Sequence, residues 1–181
     1  MDIFVASDFQ KRCFTLVLKG HIALANARFP AGTTGSQIDV LARQYLWQEG
    51  LNYGHGTGHG VGSYLSVHEG PTSISARPIA EPLRAGMIMS NEPGYYLEGE
   101  FGIRIENLVI VKEAEQAGFL EFETITEVPL EPELIAPDLL NKNELKWLKD
   151  YHQAIESRYE NSFEGQEKAW LMDRVAFFQG L

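Results

Sequence analysis

Three histidines, His55, His59 and His68, fall within fourteen residues, and five glycines lie between Tyr53 and Ser63 in the run Tyr53-Gly54-His55-Gly56-Thr57-Gly58-His59-Gly60-Val61-Gly62. Imidazole is a metal ligand and a general acid or base near neutral pH. Glycine removes the Cβ that would keep backbone away from a ligand. In a helix, glycines this dense would cost about 1 kcal/mol each against alanine. The spacing of His55 and His59 is therefore not the helical pair of zinc proteases, which also needs a Glu directly after the first His. A phosphate loop is excluded too, because no Lys-Ser or Lys-Thr follows and no G-x-G-x-x-G register fits. Taken alone, the segment reads equally as a glycine-rich turn whose histidines only hydrogen-bond.

Two glutamates stand apart from the other acids. Glu92 lies in Ser90-Asn91-Glu92-Pro93-Gly94, where Pro and Gly fix a turn at the end of an apolar strand. Glu106 lies in Arg104-Ile105-Glu106-Asn107, read as mid-strand. Period-2 alternation puts Gly102, Arg104, Glu106 and Leu108 on one face and Ile103, Ile105, Asn107 and Val109 on the other. A charge buried there needs a partner; the plain alternative is an edge strand with a solvated Arg/Glu face. His59, Glu92 and Glu106 together offer one nitrogen and two carboxylate ligands, a set suited to Mn²⁺, Co²⁺ or Zn²⁺ and, with one cysteine in the chain, unsuited to thiolate metals. Bridging carboxylates hold paired ions about 3.5–4 Å apart.

The elements that must position these groups are legible in outline. Residues 1–7 read as a strand remnant. Ser7 or Asp8 caps a helix running to about Arg28, with Phe14, Val17, Leu18, Ile22 and Ala25 on its buried face. His21 on that helix reads as structural, and Cys13, in an apolar run, as a packing residue. Pro30, Gly32 and Gly35 break the helix. Ser36 caps a second one through Leu41, Leu46 and Trp47, stopped by Gly50. Strands follow over 86–96, 102–111 and 119–128. Pro129, Pro132 and Pro137 mark a connector to helices at 143 onward and 166–178, an amphipathic tail expected to dock rather than react.

With 181 residues the chain can bury a core, and 44% hydrophobic content is that of a globular protein. Its net charge of −10 argues against nucleic acid and against anionic membranes. A single cysteine excludes an internal disulfide framework. No apolar run is long enough for a membrane span, and the first residues do not read as a signal peptide. The expected compartment is the cytoplasm.

The segments His55-Gly56-Thr57-Gly58-His59-Gly60-Val61-Gly62, Val67-His68-Glu69-Gly70-Pro71, Asn91-Glu92-Pro93-Gly94 and Arg104-Ile105-Glu106-Asn107 together resemble the aminopeptidase P (Xaa-Pro aminopeptidase) branch of the pita-bread metallopeptidases. The tail resembles that branch as well, at Leu148-Lys149-Asp150-Tyr151-His152. The resemblance implies an α+β pita-bread fold, truncated at the N-terminus, with a partial catalytic domain over 1–128 and a helical C-terminal extension over 129–181. It implies that His59, Glu92 and Glu106 bind metal, Glu106 bridging two divalent ions, manganese first with zinc or cobalt as alternatives. It implies catalytic roles for His55, His68, Glu92 and Arg104. His55 and His68 would hold substrate and stabilise the tetrahedral intermediate, Arg104 would orient the site, and Glu92 would manage a proton. The substrate would be a peptide with proline at the second position, cleaved to release the preceding residue.

The family pattern also places two aspartate ligands upstream, the nearer falling just before Met1. On that register the isolated chain is expected to bind metal weakly and to show little or no peptidase activity, and an open sheet edge would favour a homo-oligomer. The alternative is a non-catalytic pita-bread relative used for binding or assembly. A zinc hydrolase of another fold is disfavoured by the glycine-dense histidine segment.

Overall fold

The computed structural model describes residues 5–64 and 66–181. Residues 1–4, most of the expected strand remnant, lie outside the described residues, and residues 5–7 are in no strand. The chain divides into two compact units, one of residues 16–126 and one of residues 5–15 with 127–181.

Helix α1 (Asp8–Ala25) starts at a reciprocal cap, in which Gln10 N donates to Ser7 Oγ and Ser7 N to Gln10 Oε1. It ends three residues before the expected Arg28. Phe29 precedes a proline and is therefore biased toward extended backbone, and Arg28–Pro30 forms strand β1. Helix α2 (Gly35–Gln48) is capped at Thr34 rather than Ser36, where the Thr34 N–H donates to Gln37 Oε1 at 2.8 Å. Gly50, at φ +72°, turns the chain out of it.

The remaining strands are β2 (Gly58–Gly60), β3 (Glu69–Ile74), β4 (Ile88–Asn91), β5 (Gly94–Leu97), β6 (Phe101–Arg104), β7 (Asn107–Glu113) and β8 (Phe119–Thr124). A six-stranded antiparallel sheet runs β1-β8-β7-β4-β2-β3, and β5 with β6 forms a separate hairpin. The strand expected over 102–111 is therefore two strands in different sheets, broken at Ile105 and Glu106. The strand expected over 86–96 is likewise broken at Glu92 and Pro93, where proline has no N–H for a ladder. The two breaks face each other. Asn91 pairs with Asn107 on one side and Gly94 with Arg104 on the other, and Ile105 N donates to Pro93 O at 3.2 Å. The register is continuous across the junction, so Glu92 stands opposite Glu106.

The core of this unit joins Leu24, Phe29, Ile38, Ala42, Ile74, Leu83, Met89, Val109, Val111 and Leu120. Each buried aliphatic side chain contributes about 1.5–3 kcal/mol relative to exposure. In the other unit, α3 (Lys142–Tyr159) carries a full capping box at Asn141 and packs Ile155 against Leu171 and Val175 of α4 (Gly165–Gln179). His152 there is wholly buried. Its Nδ1–H donates to Leu148 O at 2.7 Å, its Nε2 accepts Leu130 N–H at 3.1 Å, and its ring stacks on Phe178 at 3.5 Å. Cys13 is buried and free, as a packing residue would be, and burial raises its thiol pKa. Among the described residues no helix is long and apolar enough to cross a membrane.

Candidate active site

Strand β2 carries His59 between β3 and β4, and it can lie there only because both neighbours are glycine. A Cβ on Gly58 would stand 2.0 Å from Ser90 O, and one on Gly60 would stand 2.2 Å from Glu69 O. Ser90 ties the two sides of the site together. Its Oγ accepts His59 N–H at 3.0 Å and donates to Glu92 Oε1 at 2.9 Å. The Glu92 N–H donates to Thr57 O at 2.8 Å, so Glu92 is held at backbone and side chain alike.

His59 Nδ1 lies 2.9 Å from Gly60 O. A carbonyl only accepts, so Nδ1 carries a proton, and Nε2 is the ring nitrogen turned toward Glu92. That nitrogen stands 3.1 Å from Glu92 Oε1. Two electron-pair donors this close require a positive centre between them, either a proton or a metal ion. The arrangement matches metal-binding histidines, whose second ring nitrogen habitually donates to a carbonyl or carboxylate.

Glu92 is buried, and its other oxygen lies 3.5 Å from Arg104 Nη1. Arg104 Nε donates to the Tyr96 hydroxyl at 2.9 Å. This bond is the main cause raising the guanidinium pKa, with Glu92 and Glu106 adding to it through their charge. Tyr96 thus accepts from Arg104 and has its own proton free for His55 Nε2 at 3.0 Å, while His55 Nδ1 lies 2.7 Å from Gly56 O. His68 is exposed, and its ring lies against His59 with centroids 4.2 Å apart. An unbroken series of contacts therefore runs from His68 through His59, Glu92, Arg104 and Tyr96 to His55. Glu106 is exposed on the facing break. Among the described residues no three His, Cys, Asp or Glu side chains gather closely enough to hold a metal ion as they stand. The donors do suit a divalent ion in kind, since His59 and Glu92 provide a borderline nitrogen and a hard oxygen in contact. Glu106 adds a second carboxylate on the strand break that faces Glu92.

Sequence reasoning missed Ser90 and Tyr96 as parts of this site. Tyr96 is four residues past Glu92, on a strand whose pairing with Arg104 no local pattern announces. His21, read as structural, is wholly buried, and its carbonyl accepts the Asn91 side-chain N–H at 3.0 Å. Burial pushes its ring pKa down to about 4, against a smaller upward pull from backbone hydrogen bonding at Ile105 and Asn91.

Residues 2–113 match the family model described as metallopeptidase family M24, and residues 118–177 match the C-terminal region of peptidase M24. A probable Xaa-Pro aminopeptidase P of Penicillium rubens is 51% identical over 177 residues, covering 92% of this chain and 29% of that relative. Aminopeptidase P1 of Arabidopsis thaliana is 49% identical, with coverages of 91% and 27%. An X-prolyl aminopeptidase of Caenorhabditis elegans, described as a cytosolic enzyme with a di-nuclear active site, superposes with a TM-score of 0.87 at 40% identity, over 94% of this chain and 29% of that one. Prolidase from Pyrococcus furiosus gives a TM-score of 0.60 at 28% identity, covering 71% and 35%. The chain thus spans under a third of the length of the curated relatives described here, and its fold is the pita-bread arrangement of a C-terminal portion of aminopeptidase P. It belongs to metallopeptidase family M24.

Proposed function

We propose that this chain carries part of the active centre of a metal-dependent aminopeptidase that releases an N-terminal residue preceding proline. His59, Glu92 and Glu106 would hold divalent metal, two ions in a complete site, manganese before zinc or cobalt. A bound ion supplies Lewis acidity toward the scissile carbonyl and a water that is nucleophilic at neutral pH.

The chain's own residues have separable tasks. Glu92, with one oxygen toward His59 and the other toward Arg104, is placed to accept a proton at its carboxylate. His55, fixed as the Nδ1–H tautomer by Gly56 and Tyr96, and the exposed His68 would contact substrate and the oxygen that becomes negative in the tetrahedral intermediate. Arg104 remains charged and orients Glu92 and Tyr96. We read residues 1–128 as part of the catalytic domain and 129–181 as its helical extension, in a cytoplasmic protein. Self-association through an open sheet edge belongs to the same reading. A non-catalytic role for the fold in binding or assembly would use the same contact as a proton-sharing His59–Glu92 pair and would leave Mn²⁺ unbound.

The observation that carries the reading is the 3.1 Å approach of His59 Nε2 to Glu92 Oε1, with Nδ1 committed elsewhere. Calorimetric titration with Mn²⁺ tests it: weak binding and little or no peptidase activity are expected of the isolated chain, and Glu92→Gln should abolish the binding. Binding indifferent to Glu92 would contradict the reading. The proline preference is tested by titrating Ala-Pro-Ala and Ala-Ala-Ala against the Mn²⁺-loaded chain, and equal affinity for the two would refute it.

A further inference from the structure

Asp39 and Arg43 lie one turn apart on α2, 2% and 5% exposed. Taking two charges out of water costs several kcal/mol per ion unless geometry and hydrogen bonding compensate. Here nearly all of that capacity is used. Arg43 Nε donates to Asp39 Oδ2 at 2.6 Å. Its Nη1 donates to Tyr53 O at 2.8 Å and to Asn52 Oδ1 at 3.3 Å, and its Nη2 to His55 O at 2.8 Å. The guanidinium also lies over the Tyr53 ring at 4.0 Å. Asp39 Oδ1 accepts the Thr57 hydroxyl proton at 2.5 Å. Thr57 has then spent its one hydrogen, so in the 2.5 Å contact with Tyr53 the phenol is the donor. Burial drives that phenol's pKa up to about 12, which keeps it protonated.

The segment these bonds reach, residues 51–57, is in neither helix nor strand. Its carbonyls at Tyr53 and His55 face an arginine in place of a ladder. Thr57, held by Asp39, presents the carbonyl that accepts Glu92 N–H. The ion pair thus reaches the backbone of His55 on one side and that of Glu92 on the other. Apolar packing alone would bury this segment without fixing which way its carbonyls point.

We propose that Asp39 and Arg43 are positioning residues, whose buried ion pair sets the backbone carrying His55 and, through Thr57, the backbone of Glu92. The proposal rests on reading His55, His59 and Glu92 as site residues. It depends on the fork of the guanidinium and not on charge alone, since the three donors of a lysine cannot serve these four separated acceptors.

The test compares Arg43→Lys, which keeps the charge and loses the fork, with Tyr53→Phe, which removes one hydroxyl. Long-range proton–nitrogen NMR reads the tautomer of each histidine ring in the full chain, and Mn²⁺ titration reads affinity. In Arg43→Lys, His55 is expected to leave the Nδ1–H form for the tautomer mixture of a solvated ring, with His152 unchanged and Mn²⁺ affinity lowered about tenfold, as for other outer-shell partners. Tyr53→Phe should move the His55 signals the same way by less. Unchanged His55 signals in the folded variants would overturn the proposal, as would equal shifts at His152, which mark general loosening. If Arg43→Lys does not fold, Tyr53→Phe decides in the same two directions. A wild-type chain that binds no Mn²⁺ refutes the metal reading and leaves the ring-tautomer test intact.

Discussion

His59 and His152 are both turned by a ring N–H donated to a nearby carbonyl, and there the likeness ends. His152 Nε2 accepts Leu130 N–H inside the helical unit, so both of its nitrogens are used and burial holds the ring neutral, its pKa lowered to about 4. His59 Nε2 meets a carboxylate oxygen, which offers it another lone pair. One imidazole is saturated by its own fold, and the other faces a carboxylate across a gap that either a proton or a metal ion can fill. The partner of the second nitrogen, rather than burial, separates a histidine that builds structure from one that can bind.

The largest effects should come from breaking this contrast at its ends. His59→Ala is expected to lower Mn²⁺ affinity by about 100-fold or more, beyond the range for outer-shell partners, with a minor change in melting temperature. His152→Ala should do the reverse, leaving Mn²⁺ affinity alone and removing about 3–5 kcal/mol of stability in denaturant melts, as for other large core truncations. Exchanged outcomes would end the distinction.

Acid sharpens it. His21 and His152 have folded pKa values near 4, below the ordinary 6.5. Above pH 6.5 both rings are neutral folded and unfolded, so they add no pH dependence. As pH falls from 6.5 toward 4 only the unfolded chain takes up these protons, and stability should drop by roughly 3 kcal/mol per ring. Denaturant melts across that range, with His152→Phe for comparison, measure the slope. A flat profile in the unsubstituted chain would contradict the neutral assignment. The smallest effect is expected at Lys146–Asp150, an i,i+4 ion pair like Asp39–Arg43 but largely exposed. Lys146→Ala should cost about 0.3–0.5 kcal/mol, whereas Arg43→Gln, which strands a buried carboxylate, should cost about 3–5 kcal/mol.

What the sequence disclosed follows from how local each cause is. The helices of the tail were readable because the apolar stripe from Leu148 to Ile155 lies within a few turns, whereas the cap at Asn141 was not singled out. The break at Ile105–Glu106 was not. The inside–outside alternation runs through it, with Arg104 and Glu106 exposed and Ile105 and Asn107 buried, so the pattern of an unbroken strand persists while the hydrogen bonding changes sheets. The cap at Thr34 instead of Ser36 is a choice between similar hydroxyls that Gln37 decides. The histidines and Glu92 were legible as a group because glycine and proline mark their turns. The Asp39–Arg43 pair was hidden, because an i,i+4 ion pair on a helix usually faces solvent and only the tertiary fold turns this one inward. Tyr96 was hidden because it stays exposed on its strand and meets His55 and Arg104 only through tertiary pairing.

The space between His59 and Glu92 decides whether this fold takes up a metal ion. Titration of the chain with Zn²⁺, followed by long-range proton–nitrogen NMR, addresses it directly. The predicted result is a selective shift of the His59 Nε2 signal, absent in Glu92→Gln, with His21 and His152 unmoved. A His59 ring that keeps its metal-free signals at saturating Zn²⁺ would contradict it.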